Sequence, residues 1–307
     1  MRDIFVKTIS KIAKKNNNIF LLTGDLGFKL FDEFRENCPG RFFNTGVAES
    51  NMISIAAGLS LSGKNVYCYS IAPFVCMRPF EQIRIDICFH NLNVKLLGGG
   101  GGLSYGLEGM THHAIEDFAI MKALPNMTVI APGDIKEAEE IAKESIKYPG
   151  PIYIRLPKQA PEKSIYPKNK KIKIGKGEIV EKGNNICLIA TGSMLEHAKI
   201  ASDKLKKQKI KPTLVSIHTI KPLDKKLIKK LSKTHKQIFV IEEHSHISGL
   251  GSSIAEILFE NKYKGVFEKI ALPDKYTCYI GHPSYLYDKY GLNPKKIFKK
   301  ILNNLKK

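Results

Sequence analysis

The stretch Phe43-Asn-Thr-Gly-Val-Ala-Glu-Ser-Asn-Met52 joins a short apolar run to a helix-forming segment that is rich in small residues, with Ile53 to Ser60 directly after it. It is one instance of a pattern that continues along the chain, in which brief apolar runs alternate with longer amphipathic segments. This alternation is typical of parallel strands joined by helical crossovers. The sequence therefore predicts an α/β fold with mainly parallel sheets.

The pattern places elements in both halves of the chain. In the first half we predict strands at Ile19-Leu22, Phe42-Asn44, Asn65-Ser70, Val94-Gly98, Thr128-Ala131 and Ile152-Arg155. Helices are predicted between them at Ile4-Lys15, Asn51-Ser62, Pro79-Phe89, Ala114-Ala123 and Asp134-Tyr148. The second half has strands at Ile186-Ala190, Thr213-Ile217 and Ile238-Glu242, and helices at Leu195-Gln208, Leu223-Ser232 and Leu250-Glu260.

The length of 307 residues predicts two domains, since a domain has about 150 residues. A Lys/Pro/Gly-rich passage from Lys158 to Lys182 has no long apolar period, which is typical of a linker. We therefore predict a first domain at 1–165, a linker at 166–183 and a second domain at 184–307.

The chain is strongly basic, with 49 Lys+Arg against 29 Asp+Glu and a formal net charge of +20. Such a charge raises the question of a nucleic-acid partner. The lysines are spread along the chain, however, and no nucleic-acid-binding motif accompanies them. A solvated lysine surface is the favoured interpretation, and small phosphorylated substrates would benefit from the same field.

The six cysteines have no CxxC spacing, which argues against a zinc site or a disulfide scaffold. No stretch of about 20 uncharged apolar residues occurs, and Met1-Arg2-Asp3 is charged at once. We expect a cytoplasmic protein without a membrane span.

Two segments of the first half contain candidates for chemistry. Glu49 begins an apolar helix, where the helix dipole alone would favour a carboxylate as a cap. The run Gly98 to Gly102 either lets the backbone approach a ligand or forms a mobile loop. His112 and His113 follow it, but adjacent histidines without a third ligand do not favour a metal site.

The first half is similar to the pyrimidine-binding domain of transketolases in the order and spacing of four segments: Leu22-Thr-Gly-Asp-Leu-Gly27, Gly46-Val-Ala-Glu49, Gly109-Met-Thr-His112 and Ala123-Leu-Pro-Asn126. The second half resembles the C-terminal domain of that superfamily through Ala190-Thr-Gly-Ser193, Ile220-Lys-Pro-Leu223 and Glu242-Glu-His-Ser-His-Ile-Ser-Gly-Leu-Gly251. The resemblance implies two three-layer α/β/α domains, thiamine diphosphate as cofactor, and transfer of a two-carbon ketol unit.

The resemblance also implies cofactor-binding roles for individual residues. Glu49 aligns with the glutamate that hydrogen-bonds N1′ of the aminopyrimidine ring and relays a proton there. Phe74 or Phe80 aligns with an aromatic residue that stacks on the pyrimidine. Asp25 aligns with an aspartate of the pocket that orients its neighbours.

Substrate contacts are implied in the same way. His112 matches a histidine of the substrate channel, and Glu108 stands where transketolases have an aspartate that contacts a sugar hydroxyl. A second channel histidine would fall near Gly100 and is absent. Arg2 and Arg155 align with arginines that bind the substrate phosphate, for which a planar guanidinium fork is suited.

The sequence has no motif for the cofactor diphosphate. Thiamine enzymes hold Mg²⁺-diphosphate through Gly-Asp-Gly and a later Asn. Gly24-Asp25-Leu26 with Asn51 has nearly that spacing but lacks the second glycine, and it already matches the pyrimidine domain. We therefore expect a separate N-terminal subunit to carry that motif and the Mg²⁺ or Ca²⁺ ion, in an α2β2 heterotetramer.

Other interpretations remain open at this point. The β subunit of a 2-oxo acid dehydrogenase and a deoxyxylulose-phosphate-synthase-like enzyme have the same architecture, and a non-catalytic scaffold subunit would keep the fold alone. In the second half Glu242, Glu243, His244 and His246 invite a metal or acid–base interpretation, but their spacing defines no geometry and packing is favoured.

Overall fold

The computed structural model describes residues 1–158 and 161–305. Twelve strands among these residues form two sheets. The strands are β1 (Ile19–Thr23), β2 (Phe42–Asn44), β3 (Asn65–Ile71), β4 (Val94–Gly99), β5 (Thr128–Ile130), β6 (Ile152–Leu156), β7 (Glu178–Glu181), β8 (Asn185–Ala190), β9 (Thr213–Ser216), β10 (Thr219–Lys221), β11 (His235–Ser245) and β12 (Val266–Leu272).

Helices connect the strands. They are α1 (Arg2–Ala13), α2 (Asp32–Asn37), α3 (Glu49–Leu61), α4 (Ala72–Met77), α5 (Phe80–Gln82), α6 (Asp117–Ala123), α7 (Ile135–Lys147), α8 (Met194–Lys207), α9 (Lys225–Thr234), α10 (Leu250–Glu260), α11 (Pro283–Lys289) and α12 (Pro294–Asn304). A π-helical segment, Ile83–Phe89, continues α5, and a short 3₁₀ turn spans Met110–His112.

The first sheet has seven strands in the order β10-β5-β6-β4-β3-β1-β2, and the second has five in the order β12-β11-β8-β9-β7. All neighbours are parallel except the two edge pairs β10–β5 and β7–β9, which are antiparallel. The central strands are apolar and buried because helices cover both faces of a parallel sheet. The predicted α/β architecture with mainly parallel sheets is confirmed.

Several elements differ from the sequence-based prediction. The predicted linker 166–183 contains β7, an edge strand of the second sheet. Its short sequence Glu-Ile-Val-Glu has a charge at each end and therefore shows no apolar run or alternation that would predict a strand. Strand β10 lies in the second half of the chain but joins the first sheet. Short or polar elements that the pattern did not predict are α2, α4, β12, α11 and α12.

The predicted linker is also attached to the first domain through a buried carboxylate. Glu137 of α7 is fully buried, and its carboxylate accepts hydrogen bonds from Gly133 N at 2.7 Å and Tyr166 Oη at 2.8 Å. Burial raises the pKa of Glu137 from 4.5 to about 7. Folding therefore keeps a proton on this side chain that the unfolded chain releases.

This carboxylate gives a pH prediction. Because the folded pKa is the higher one, the ionisation of Glu137 has no effect on the free energy of unfolding below about pH 4.5, and its penalty grows to about 3 kcal/mol above pH 7. We expect the stability advantage of the wild type over Glu137→Gln to shrink by this amount between pH 5 and 8 in urea unfolding. The exposed Glu36→Gln is the control, and a constant advantage across the range would contradict the prediction.

In the described part of the chain, no helix combines the length and the apolar character needed to cross a membrane.

Candidate active site

Most of the predicted site residues lie at the carboxyl ends of the parallel strands of the first sheet. Glu49 begins α3 shortly after β2, Phe74 lies in α4 directly after β3, and His112 lies in the loop after β4. Ligands in open parallel sheets bind at this edge, because the loops that leave the strands converge there. The fold thus brings together residues that are 63 positions apart in the chain, from Glu49 to His112.

Glu49 is a buried carboxylate, only 2% exposed. Its Oε1 accepts a hydrogen bond from Ser70 Oγ at 2.9 Å, and its Oε2 accepts one from Arg78 Nη1 at 2.9 Å. Among the described residues no side chain caps α3, so Glu49 does not bond the helix terminus through a capping hydrogen bond. An ionised carboxylate offers about four acceptor positions, so a further donor can still bind.

A row of flat side chains leads away from Glu49. The guanidinium carbon of Arg78 lies 3.9 Å from the ring centroid of Phe74, and the Phe74 ring meets His112 edge-on at 5.1 Å. The ring centroids of Tyr105 and His112 lie 5.8 Å apart. These contacts connect the buried carboxylate with Tyr105 of the loop after β4 through a continuous row of side chains.

Phe80 and Asp25 lie differently. Phe80 packs against the hydrophobic core of the first sheet, so Phe74 is the aromatic residue next to Glu49's partner. Asp25 is exposed, and its carboxylate accepts a hydrogen bond from Asn44 Nδ2 at 2.8 Å. The side-chain oxygen of Asn44 in turn accepts from the backbone N–H groups of Asp25 and Gly46 at 3.0 Å, so this pair braces the loop before Glu49.

Residues 103–113, here called the channel loop, contain Glu108 and His112. The loop is closed at its base because Gly102 and Ala114 exchange two backbone hydrogen bonds of 3.0 Å. The second domain holds it at its start and its middle: Glu243 Oε1 accepts from Leu103 N at 2.5 Å, and Gly281 N donates to Gly106 O at 3.0 Å. The position of Glu108 and His112 therefore depends on both domains.

The glycine run Gly98 to Gly102 is buried, and the absence of side chains lets neighbouring residues pack directly against its backbone. A Cβ atom at Gly98 or Gly99 would lie 2.7 Å from Tyr153 Oη or 2.5 Å from Tyr69 Oη. A Cβ at Gly100, Gly101 or Gly102 would fall within 2.2 Å of Tyr105, Arg155 or Glu243 respectively. Neither alternative from the sequence, a ligand cradle or a mobile loop, describes this packing.

Arg155 lies in β6 and is 5% exposed. Its Nη2 donates to Glu243 O at 2.7 Å and Ala114 O at 3.1 Å, and its Nε lies 3.5 Å from Asp117 Oδ2. The structure thus places Arg155 between the two domains, facing protein acceptors, and does not bring it to Glu49. Its predicted phosphate contact stays a prediction.

The other predicted substrate residues are accessible. Glu108 is exposed and lies 3.9 Å from Lys158 Nζ, which also sits 4.7 Å from the centre of the Tyr105 ring. Arg2 is partly buried, and its Nη1 donates to Tyr69 Oη at 3.4 Å. The Arg2 phosphate role stays a prediction.

Sequence reasoning missed several residues of this region. Ser70 and Arg78 bind Glu49, and Tyr105 and Lys158 flank His112 and Glu108. Ser70 had a recognisable signal, since it is a polar residue at the carboxyl end of an apolar strand. Glu242 accepts from Leu250 N and Gly251 N at the start of α10, His244 stacks on Phe118, and Glu243 holds the channel loop, so these three side chains make contacts within the protein.

Two known domain families match the amino-acid sequence, one in each half of the chain. Residues 1–163 match the transketolase pyrimidine-binding domain, and residues 175–297 match the transketolase C-terminal domain. The chain belongs to the transketolase family, and this membership implies dependence on thiamine diphosphate.

Individual relatives narrow the comparison. The chain is 37% identical, over its full length and 96% of the relative, to a protein of Methanocaldococcus jannaschii provisionally named as a transketolase C-terminal section. It is 31% identical to an apulose-4-phosphate transketolase subunit of Phocaeicola vulgatus, covering 97% of that protein. A solved split-gene transketolase, described as an inactive β4 tetramer, superposes with a TM-score of 0.87 at 32% identity, over 98% of this chain and 96% of that one. The chain has the two domains of the C-terminal section of a split transketolase.

The residues around Glu49 fit the aminopyrimidine half of thiamine diphosphate. A buried carboxylate with acceptor capacity beside an aromatic ring suits an aminopyrimidine. Within residues 1–158 and 161–305, no group of three or more His, Cys, Asp or Glu side chains is arranged to hold a metal ion.

Proposed function

We propose that this chain is the C-terminal subunit of a two-subunit transketolase that moves a two-carbon ketol unit from a ketose phosphate to an aldose in carbohydrate metabolism. The observation that carries the proposal is Glu49, a buried carboxylate held by Ser70 and Arg78 at the carboxyl edge of the sheet. Its chemistry is that of a proton relay to a bound ring nitrogen.

Thiamine diphosphate, when bound, supplies the carbanion chemistry of the ketol transfer. In this proposal Glu49 holds and moves the proton at N1′ of the aminopyrimidine, and Phe74 stacks on that ring. His112 and Glu108 bind the hydroxyl groups of the sugar, and Arg2 contacts its phosphate. The excess of basic residues favours the approach of phosphorylated sugars.

A partner chain completes the site in this proposal. Exposed apolar side chains stand close to Glu49 in the chain, at Val47, in the channel loop, at Leu107, and beside Gly109 of that loop, at Ile280. Val47, two residues before Glu49, is 72% exposed. Exposed apolar side chains grouped around a functional site mark a protein interface. We propose that the partner is an N-terminal subunit whose Gly-Asp-Gly motif binds the diphosphate and Mg²⁺ or Ca²⁺, in an α2β2 assembly.

Another enzyme of the superfamily is the second candidate. The chain is 34% identical to 1-deoxy-D-xylulose-5-phosphate synthase of Clostridium perfringens, but it spans only 47% of that enzyme. The subunits that it matches along nearly their full length are transketolase subunits. Transketolase is therefore the function that the similarities support best.

The proposal is tested by reconstitution. We expect the purified chain to have no ketol-transfer activity alone, because the diphosphate and metal ligands are supplied by the partner. Activity should appear when the partner subunit, thiamine diphosphate and Mg²⁺ are all added, measured with a ketose phosphate donor and an aldose phosphate acceptor.

Omitting each component in turn is the control for this experiment. Turnover by the purified chain without partner would contradict the two-subunit proposal. A reconstituted complex that condenses pyruvate with glyceraldehyde phosphate but transfers no ketol unit would favour the synthase.

A further inference from the structure

Arg78 links the two residues on which the proposed cofactor site depends. Its Nη1 lies 2.9 Å from Glu49 Oε2, and its guanidinium carbon lies 3.9 Å above the ring of Phe74. Arg78 directly follows α4, the helix that contains Phe74, whereas Glu49 begins α3 on another strand connection. One side chain thus connects two separate elements of the site.

The contact is more specific than an ordinary surface ion pair. Exposed pairs contribute little to stability, because water screens both charges. Here the guanidinium is 46% exposed but the carboxylate is only 2% exposed, so one partner is fixed inside the protein. The flat face of the guanidinium is fixed by the ring, and its edge is fixed by the carboxylate.

The two oxygens of Glu49 are held from different elements. Ser70 of β3 donates to Oε1 and Arg78 donates to Oε2, both at 2.9 Å. Two donors on two oxygens define the plane of a carboxylate as well as its position. A lysine would supply a charge at this place but could not stack on Phe74 and point an N–H at Glu49 in one fixed geometry.

We propose that Arg78 is a positioning residue, which sets the Glu49 carboxylate and the Phe74 ring at the mutual orientation that the cofactor ring requires. This inference rests on the proposed function, since it assigns Glu49 and Phe74 to the aminopyrimidine. Arg78 acts through these two side chains and takes no part in sugar recognition.

The test compares Arg78→Gln, Arg78→Lys and Arg78→Ala in the reconstituted two-subunit complex. We expect Arg78→Gln to lower kcat by about 10²-fold, which is the effect of a misplaced reacting group. Thiamine diphosphate should bind more weakly by titration calorimetry, whereas KM for the sugar phosphate should stay near its wild-type value. The kcat of Arg78→Lys should lie between that of the wild type and that of Arg78→Gln. Added guanidinium ion should restore part of the activity of Arg78→Ala.

The matched control is Arg84→Gln, which removes an exposed arginine six positions along and should leave kcat and cofactor affinity unchanged. Wild-type kcat and cofactor affinity in Arg78→Gln would overturn the inference. Tighter cofactor binding would also overturn it, because the guanidinium would then compete with the ring. If Glu49→Gln kept full activity, the proposed function would fail; if Glu49→Gln were inactive and Arg78→Gln normal, the inference about Arg78 alone would fail.

Discussion

Replacing Glu49 by glutamine is expected to lower kcat of the reconstituted complex by about 10³-fold, within the range for loss of a general acid–base group. The amide has nearly the same shape and lies in the same place beside Ser70 and Arg78. It cannot accept and return a proton at the ring nitrogen of the cofactor. The measurement is steady-state ketol transfer at saturating thiamine diphosphate, partner subunit and Mg²⁺.

Glu81→Gln is the matched control for this substitution, because Glu81 is exposed and the change removes the same charge from the same domain. Its kcat should equal that of the wild type. Thermal unfolding of both variants separates a loss of chemistry from a loss of structure. Full activity in Glu49→Gln would rule out the proton relay and leave the scaffold interpretation of this subunit.

Replacing Gly102 by alanine is expected to destabilise the protein by roughly 2 to 4 kcal/mol, from left-handed backbone strain and overpacking together. The backbone of Gly102 is left-handed, with φ +64°, and an added Cβ would lie 2.2 Å from Glu243 Cδ and 2.5 Å from Arg155 Nη2. Neither neighbour moves easily, since Glu243 also accepts from Leu103 N and from Tyr287 Oη. Urea unfolding of the purified chain measures the change.

Gly40→Ala isolates the contribution of packing. Gly40 has a similar φ of +72°, but nothing in the described chain lies within 4 Å of its added Cβ. This variant should lose only about 1 to 2 kcal/mol, from the backbone conformation alone. Equal losses in the two variants would show that Gly102 is required for its backbone angle and not for its contact with Glu243 and Arg155.

The parts of the molecule that follow from local sequence were predictable. The strands from Ile19 to Leu156, apart from the short edge strand β2, are buried apolar runs, so the apolar pattern identified them within a residue or two. Glu49 was identified through the short motif around it, and the helix that it begins is nearly uncharged. Local pattern and a recognisable motif are both properties of neighbouring residues.

Features that depend on distant contacts were not predictable in this way. Arg155 ends an apolar strand, which suggested a ligand, but its partners Ala114 and Glu243 come from other elements. The glycine run has no local reason for its composition, because the side chains that exclude a Cβ are supplied by residues as distant as Glu243. Arg78 follows a helix too short to show a period, so its approach to Glu49 had no signal.

Strand β10 has a consequence for how this chain can be divided or exchanged with relatives. Thr219 to Lys221 come from the C-terminal half but pair with β5, and Ala131 N donates to His218 O at 2.8 Å. A fragment that stops in the region 166–174 would leave the β5 border open, and an open border of a sheet recruits strands from other molecules. Chimeras that graft the first domain onto a foreign C-terminal half must therefore carry an equivalent of residues 218–221, or the grafted half will aggregate.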